Sequence, residues 1–394
     1  MTGEGSLRRN VGILAGGFLA FFSLNILNTS YSIVMALIKA DLDLTYTMSG
    51  ALTSVYFVGY AIGQVPWGAL ADRIGSRRVM VASILGIATS TILFGFAQGF
   101  WQAALARLVS GLLGAGVFVP GVRLVSGWFP PEERGTALGI FSIGASAGLI
   151  SSSTLSPYIA TVIGWRGTIM GIGVLGLMLT AVIWVTLKDN EAEERTGGNG
   201  DLRDVLTDRS FWALGAIQMA RLGANYVFIA WLPLLLQEEF GMSLIAAGAA
   251  FSLFNVAGMV SNPLGGIISD RLGEKIVLLV SFAVLAVGSF AFTLVEGGLP
   301  MYLVIVVIGW FINFVRSPSF ALIPRLYGVE RAGRVSGIQN TFASIGALVL
   351  PFLIGYIRDA TDSYWAGWIA LAIVLGVVAV SALFLRSSPG PGPE

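Results

Sequence analysis

The sequence predicts an all-α membrane protein with twelve transmembrane helices in two pseudo-symmetric six-helix bundles. Composition is the first of three observations behind this. Hydrophobic residues make up 55% of the 394-residue chain and charged residues only 11%, with mean hydropathy +0.82. Soluble domains carry roughly a quarter charged residues, and a chain this apolar must turn much of its surface toward lipid. The second observation is a recurrence of apolar stretches of about the 20 residues needed to cross a hydrocarbon core. The third is a charged loop that recurs once per half at a fixed spacing.

The first apolar stretch, 11–37, is too long for a signal-peptide core and lacks a cleavage site, so it reads as a retained first span. Punctuation by charge, Gly and Pro then delimits spans near 48–70, 79–98, 100–127, 136–157 and 165–187. A polar stretch follows, and a second set lies near 210–236, 244–268, 276–296, 300–325, 335–358 and 365–386. The expected division is an amino-terminal bundle at 1–187, a cytoplasmic linker at 188–209 and a carboxy-terminal bundle at 210–394. Of the 23 basic residues, Lys39, Arg166 and Arg358 alone fall in loops of one side. Arg107, Arg123, Arg221 and Arg316 fall within spans, and all the rest share the side of the termini. The positive-inside rule therefore puts both termini in the cytoplasm.

Several functions are excluded early. The chain has no Cys and no His, which removes thiolate nucleophiles, Cys/His metal sites and imidazole acid–base chemistry. A net charge of +1 gives no support to nucleic-acid binding, and nothing calls for a cofactor. The Gly-rich runs Gly111–Gly116 and Gly139, Gly144, Gly148 follow no strand, so they are expected at close helix contacts rather than around a phosphate.

The repeat is the most specific signal. Gly68-Ala-Leu-Ala-Asp72-Arg73-Ile-Gly75-Ser-Arg77-Arg78 follows the second span, and Gly266-Ile-Ile-Ser-Asp270-Arg271-Leu-Gly273-Glu-Lys275 follows the eighth. Gly68 and Gly266, Asp72 and Asp270, and Gly75 and Gly273 are each 198 residues apart. A fainter echo relates Glu133-Arg134-Gly135 to Glu330-Arg331-Ala332. The first loop resembles the signature of the major facilitator superfamily, and Arg107-Leu-Val-Ser-Gly111-Leu-Leu-Gly114-Ala-Gly116 is similar to its fourth-helix motif. The resemblance covers the whole chain. It implies two bundles around a central cavity lined by helices one, four, seven and ten, with substrate exposed alternately to each side.

Three features resemble the anion:cation symporter branch, which includes organic-anion and sugar-acid carriers. They are Trp128-Phe-Pro-Pro-Glu-Glu-Arg-Gly135, Gly164-Trp165-Arg166-Gly167 and Gly63-Gln64-Val-Pro66. The chain departs from that branch in its first helix, where Asn25, Asn28 and Tyr31 stand without a charge.

Ionisable groups within spans mark function or buried pairing. All four here are Arg, and every acid lies in a loop, a terminus or a span edge. Guanidiniums without buried carboxylates suit an anionic ligand, because the planar fork grips a carboxylate in two hydrogen bonds and keeps its proton. Arg123, Arg221 and Arg316 are therefore expected to bind substrate. Asn225 lies one turn from Arg221, and Asn28, Tyr31, Gln339 and Asn340, with Gln218 and Asn313, are neutral candidates to complete the site. For each neutral residue, interhelical hydrogen bonding is the competing expectation. By resemblance, Arg107 is structural or coupling-related. By the same resemblance, Gly68, Asp72, Arg73, Gly75 and Arg78, with Asp270, Arg271 and Gly273, are expected to form conformational latches, a tight basic turn that anchors topology being the competing expectation.

A proton symporter needs a membrane-embedded group that titrates near neutral pH, and none is evident. The expectation is a secondary transporter of a small organic anion, working by exchange or facilitated movement, with proton symport second. Drug export predicts a cavity carboxylate, and an intramembrane enzyme needs a nucleophile–base pair; the spans show neither. The expected setting is the plasma (cell inner) membrane as a monomer, with lipid and a small anion as partners.

Overall fold

The computed structural model describes residues 10–189 and 203–386. Most of the expected 188–209 linker, and Arg8 and Arg9 at the amino end, lie outside them. Among the described residues there is no strand. The first span is α1 (Val11–Ile33) followed by the short α2 (Met35–Asp41), with a break at Val34. The next three are α3 (Tyr46–Ile74), α4 (Ser76–Gly95) and α5 (Phe100–Trp128). The fifth and sixth spans run together as α6 (Pro131–Thr186), interrupted at Gly164, whose φ of 70° leaves the helical region. After a five-residue α7 (Arg203–Thr207) come α8 (Arg209–Glu238), α9 (Leu244–Leu272) and α10 (Glu274–Ala291). The tenth span is split into α11 (Gly298–Phe314) and α12 (Arg316–Tyr327), and α13 (Val329–Thr361) and α14 (Tyr364–Ser381) complete the chain. Ten described helical stretches are long and apolar enough to cross a membrane. One of them holds two spans across Gly164, and α3, the repeat partner of α9, supplies the twelfth.

The duplication is sharper in the backbone than in the residues. Helices α3 and α9 are both 29 residues long and begin 198 residues apart. Each opens on a hydroxyl cap: Met48 N donates to Thr45 Oγ1 at 3.1 Å, and Ala246 N to Ser243 Oγ at 3.2 Å. Such a cap satisfies one of the donors a helix start leaves over. The left-handed positions pair as well, Asp43 with Gly241, Gly75 with Gly273 and Gly164 with Asp362. Arg77 donates to the Trp184 carbonyl, and Lys275, its repeat partner, to those of Leu383 and Leu385. Basic side chains thus close the carbonyl ends of the sixth and twelfth spans, where the helix dipole favours them.

Contacts divide the chain into two units, each borrowing a turn from the other half's sequence. The first comprises Met1–Leu44, Ala51–Arg195 and Ser243–Ala249, and the second comprises Thr45–Gly50, Thr196–Met242 and Ala250–Glu394. In the first unit α1 packs along α6, and α4 against both α5 and α6. Its core holds Phe21 stacked on Phe141 with ring centroids 4.7 Å apart, among Leu24, Met80, Ile84 and Val117. In the second unit α13 packs on α8 and α10 on α14, with Phe228 stacked on Trp368 at 5.0 Å.

Glycines set the helix spacing at repeated positions. A Cβ on Gly111 would lie 1.9 Å from the Tyr56 carbonyl oxygen, and one on Gly309 2.4 Å from that of Phe254. Both the glycines and the carbonyls are related by the 198-residue offset. Gly144 and Gly148 meet the α1 backbone in the same manner, as the expected helix contacts require, whereas Gly139 has nothing within 4 Å.

One further clamp serves each unit. In the first, Asp41 accepts from Arg166 Nη2 at 2.8 Å and from Trp165 Nε1 at 3.2 Å, while Arg166 Nη1 reaches the Gly95 and Ala97 carbonyls. In the second, Glu238 accepts from Tyr364 at 2.6 Å and Tyr46 at 2.8 Å. Tyr364 is the repeat partner of Arg166, so one clamp position uses an ion pair in one unit and phenols in the other.

Candidate functional site

The four span arginines differ in what their donors touch, and donor bookkeeping separates their roles. Arg107, on α5, is only 4% exposed. Its Nε donates to the Leu52 carbonyl at 3.2 Å, Nη1 to the Asn28 carbonyl at 3.1 Å and Nη2 to Asn28 Oδ1 at 2.9 Å. Tyr31 and Tyr56 cover the guanidinium, with ring centroids 3.9 Å and 4.6 Å from Cζ. Every nitrogen is engaged, and cation–π contact replaces lost hydration. The structure therefore gathers Asn28 and Tyr31 around Arg107, where they knit helices one, two and four. Arg107→Lys keeps the charge but cannot span three carbonyl oxygens. It is expected to lower stability by about 1–3 kcal/mol, read as earlier thermal unfolding in detergent.

Arg123 lies farther along α5, and its Nη1 forms an ion pair with Asp72 of the signature loop. The second unit repeats the device with a shift of register. Arg325 pairs with Asp270 at 2.7 Å and with Glu274 at 2.5 Å, and Glu274 is buried. Gly75 and Gly273, with φ of 91° and 83°, turn the chain from α3 into α4 and from α9 into α10. Arg73 and Arg271 are exposed, and Gly68 has open space at its Cβ position. Arg78 is exposed on the first turn of α4.

Arg221 and Arg316 stand in the second unit and differ from both pairs above. Arg221 is 7% exposed and on α8. Its Nε donates to Gln218 Oε1 at 2.9 Å, one turn earlier on the same helix. Cζ lies 5.6 Å from the centre of the Phe320 ring. Phe320 is one turn beyond Arg316 on α12, and the two guanidiniums are within electrostatic reach of each other. Among the described residues, neither is paired with a carboxylate, and neither terminal fork of Arg221 nor any nitrogen of Arg316 makes a hydrogen bond. The Tyr226 phenol, on α8, lies within electrostatic reach of Arg316. Pro318, two residues after Arg316, has no N–H to return to the Phe314 carbonyl, and the tenth span breaks at Val315 between them.

Of the neutral candidates, Asn225 is half-buried on the turn after Arg221. Gln339 is buried and donates to the Phe211 carbonyl at 3.0 Å, a bond between α13 and α8 that serves packing. Asn340 is half-buried beside it on α13. Phe320 was not foreseen; its spacing of four from Arg316 was the signal available. No group of His, Cys, Asp and Glu suited to a metal occurs among the described residues.

A duplicated helical scaffold whose second half holds two unanswered cations has the build of a secondary transporter, which must show one ligand site to each membrane face in turn. A family model described as Major Facilitator Superfamily matches residues 13–298 and 214–394. The chain belongs to that superfamily: it is a multi-pass membrane transporter and not an enzyme. It is 30% identical to the probable galactarate/D-glucarate transporter GudP of Bacillus subtilis (strain 168), over 83% of this chain and 81% of the relative. It is 28% identical to the probable L-galactonate transporter of Escherichia coli (strain K12), over 93% and 87%. A solved structure of a bacterial homolog of the human lysosomal transporter Spinster, inward-facing and unoccupied, superposes with TM-score 0.78 over 98% of this chain and 95% of that one. At 17% identity it speaks for the fold.

Proposed function

We propose that the protein moves a small organic anion, a carboxylate, across the plasma membrane by alternating access, with Arg221 and Arg316 as its principal contacts. One observation carries this reading: two guanidiniums share one unit, within electrostatic reach, with their terminal donors unspent and no carboxylate beside them. A buried or half-buried cation is costly unless something answers it, and a bound anion does. The names of the relatives, transporters of galactarate, glucarate, galactonate and, in Cupriavidus necator, sulfoacetate, support the same class. Asn225 and Asn340 offer neutral contacts at the margin.

In this reading Asp72 and Asp270 belong to latches on the cytoplasmic side, where the basic residues and both termini lie. Arg123 is held by Asp72 and meets substrate only in a state where that pair opens. Coupling is by exchange or facilitated movement, because no acid sits in a span interior to carry a proton. Purified protein in liposomes is expected to take up a fixed-charge anion against a counter-anion without acidifying the lumen. Lumen acidification during net uptake, with no counter-anion inside, would establish proton symport instead.

A further inference from the structure

Gln218 is a buried polar residue of the second unit whose side chain is only half used. Its side chain is fully buried, and its amide is asymmetric in use: Oε1 receives the Arg221 Nε proton, while Nε2 has no partner at all. A buried amide nitrogen is normally satisfied, and leaving it unmade carries the whole desolvation penalty. The Arg221 bond has a second effect. By holding Nε at 2.9 Å, Gln218 fixes the plane of the guanidinium and leaves its terminal fork, the part that grips a carboxylate in two parallel bonds, unspent.

We infer that Gln218 is a specificity-determining residue, and that Arg221, Gln218 and Arg316 form a donor-only site matched to a substrate with two anionic ends. This rests on the anion-transport reading above and extends it. The Arg221 fork, the Gln218 Nε2 protons and the Arg316 guanidinium all donate, and Gln218 Oε1 is already taken. A monoanion answers one of the two positive charges and leaves the other without a counter-charge. A dianion answers both, one end on Arg221 and the Gln218 amide and the other on Arg316. Gln218→Glu would supply a carboxylate against Arg221 at no change in shape, but the charge balance would then call for a single negative charge.

The test is a swap of preference, which a merely structural glutamine would not produce. Two probes of the same length serve: galactarate, with a carboxylate at each end, and galactonate, with one. Purified wild-type protein is expected to bind galactarate at least 10-fold more tightly than galactonate, by isothermal titration or ligand-induced thermal shift. Gln218→Glu is expected to reverse that order. Gln218→Met, which keeps the volume but removes both polar atoms, is expected to weaken both probes about 10-fold with thermal unfolding of the unliganded protein little changed. If Gln218→Glu retains the wild-type ratio, or wild type prefers galactonate, the dianion site is wrong. If Arg221→Lys and Arg316→Lys both bind each probe as wild type does, it is the underlying anion-site reading that falls.

Discussion

Arg221→Lys is expected to abolish ligand-induced stabilisation and to reduce transport about 10- to 100-fold, although the positive charge is retained. The size follows from what lysine lacks. Charge-assisted hydrogen bonds contribute about 1.5–3 kcal/mol each, and a bidentate guanidinium–carboxylate pair makes two in a fixed plane. An ammonium on a flexible stem keeps the Coulomb attraction but offers no fork, and it reaches neither Gln218 Oε1 nor the face of Phe320 in the same geometry. The loss should appear mainly in the apparent affinity, with expression and unliganded stability near wild type, because no other side chain leans on the Arg221 terminal nitrogens. Arg316→Lys is expected to behave similarly but more weakly, since Arg316 is only half-buried and its attraction for the anion is better screened. A ligand-induced thermal-shift series across mono- and dicarboxylates measures both. Wild-type stabilisation in both variants would remove these arginines from the substrate site.

Much of this architecture was legible before any coordinates. Hydropathy and the loop spacing carry the count of twelve, because spans are fixed by bilayer thickness and duplication preserves the turn residues that a backbone needs. What they could not carry were breaks without punctuation. Val34 interrupts the first span between an isoleucine and a methionine, and apolar sequence runs through it unmarked. The fifth and sixth spans merge because residues 158–163 are nearly all apolar or hydroxylic, and Gly164 turns the chain without a polar loop. The site was half legible. That span arginines without acids call for an anion is a matter of charge balance and needs no coordinates. Which arginine still has donors to give depends on partners remote in sequence: Asn28 is 79 residues from Arg107, and Asp72 is 51 from Arg123. Arg123 lies only five residues from Trp128 at the end of α5, so its depth already placed it near the signature loop. Glu274 shows the limit most clearly, since the repeat has Ser76 at the same place and nothing in spacing says that one of the two is a buried acid paired with Arg325.

Two glycines 28 residues apart, Gly111 and Gly139, should respond to the same substitution with opposite signs. Gly111→Ala is expected to destabilise the first unit by about 3 kcal/mol or more, at or above the upper end of overpacking costs. Its Cβ would lie 1.9 Å from the Tyr56 carbonyl oxygen, 2.8 Å from its carbon and 3.0 Å from the Tyr60 nitrogen. All three are backbone atoms in helix α3, so no side chain can swing aside and relieve the overlap. The helices must part by about an ångström or more, and close packing passes that strain to neighbouring contacts. Those neighbours include Arg107, one turn earlier on α5, whose Nε bond to the Leu52 carbonyl also reaches α3. Loss of the seat therefore threatens the bond that satisfies a buried cation. Gly309→Ala should do the same in the second unit, against Phe254 at 2.4 Å. Gly139 is the control, being exposed within α6 with nothing within 4 Å of its Cβ position. There alanine removes only the freedom of the unfolded chain and improves helix propensity, a gain of about 0.5–1 kcal/mol. Thermal unfolding of the three variants in one detergent compares them directly. Gly111→Ala at or above wild-type stability would show that the contact at Tyr56 does not set the distance between the second and fourth helices.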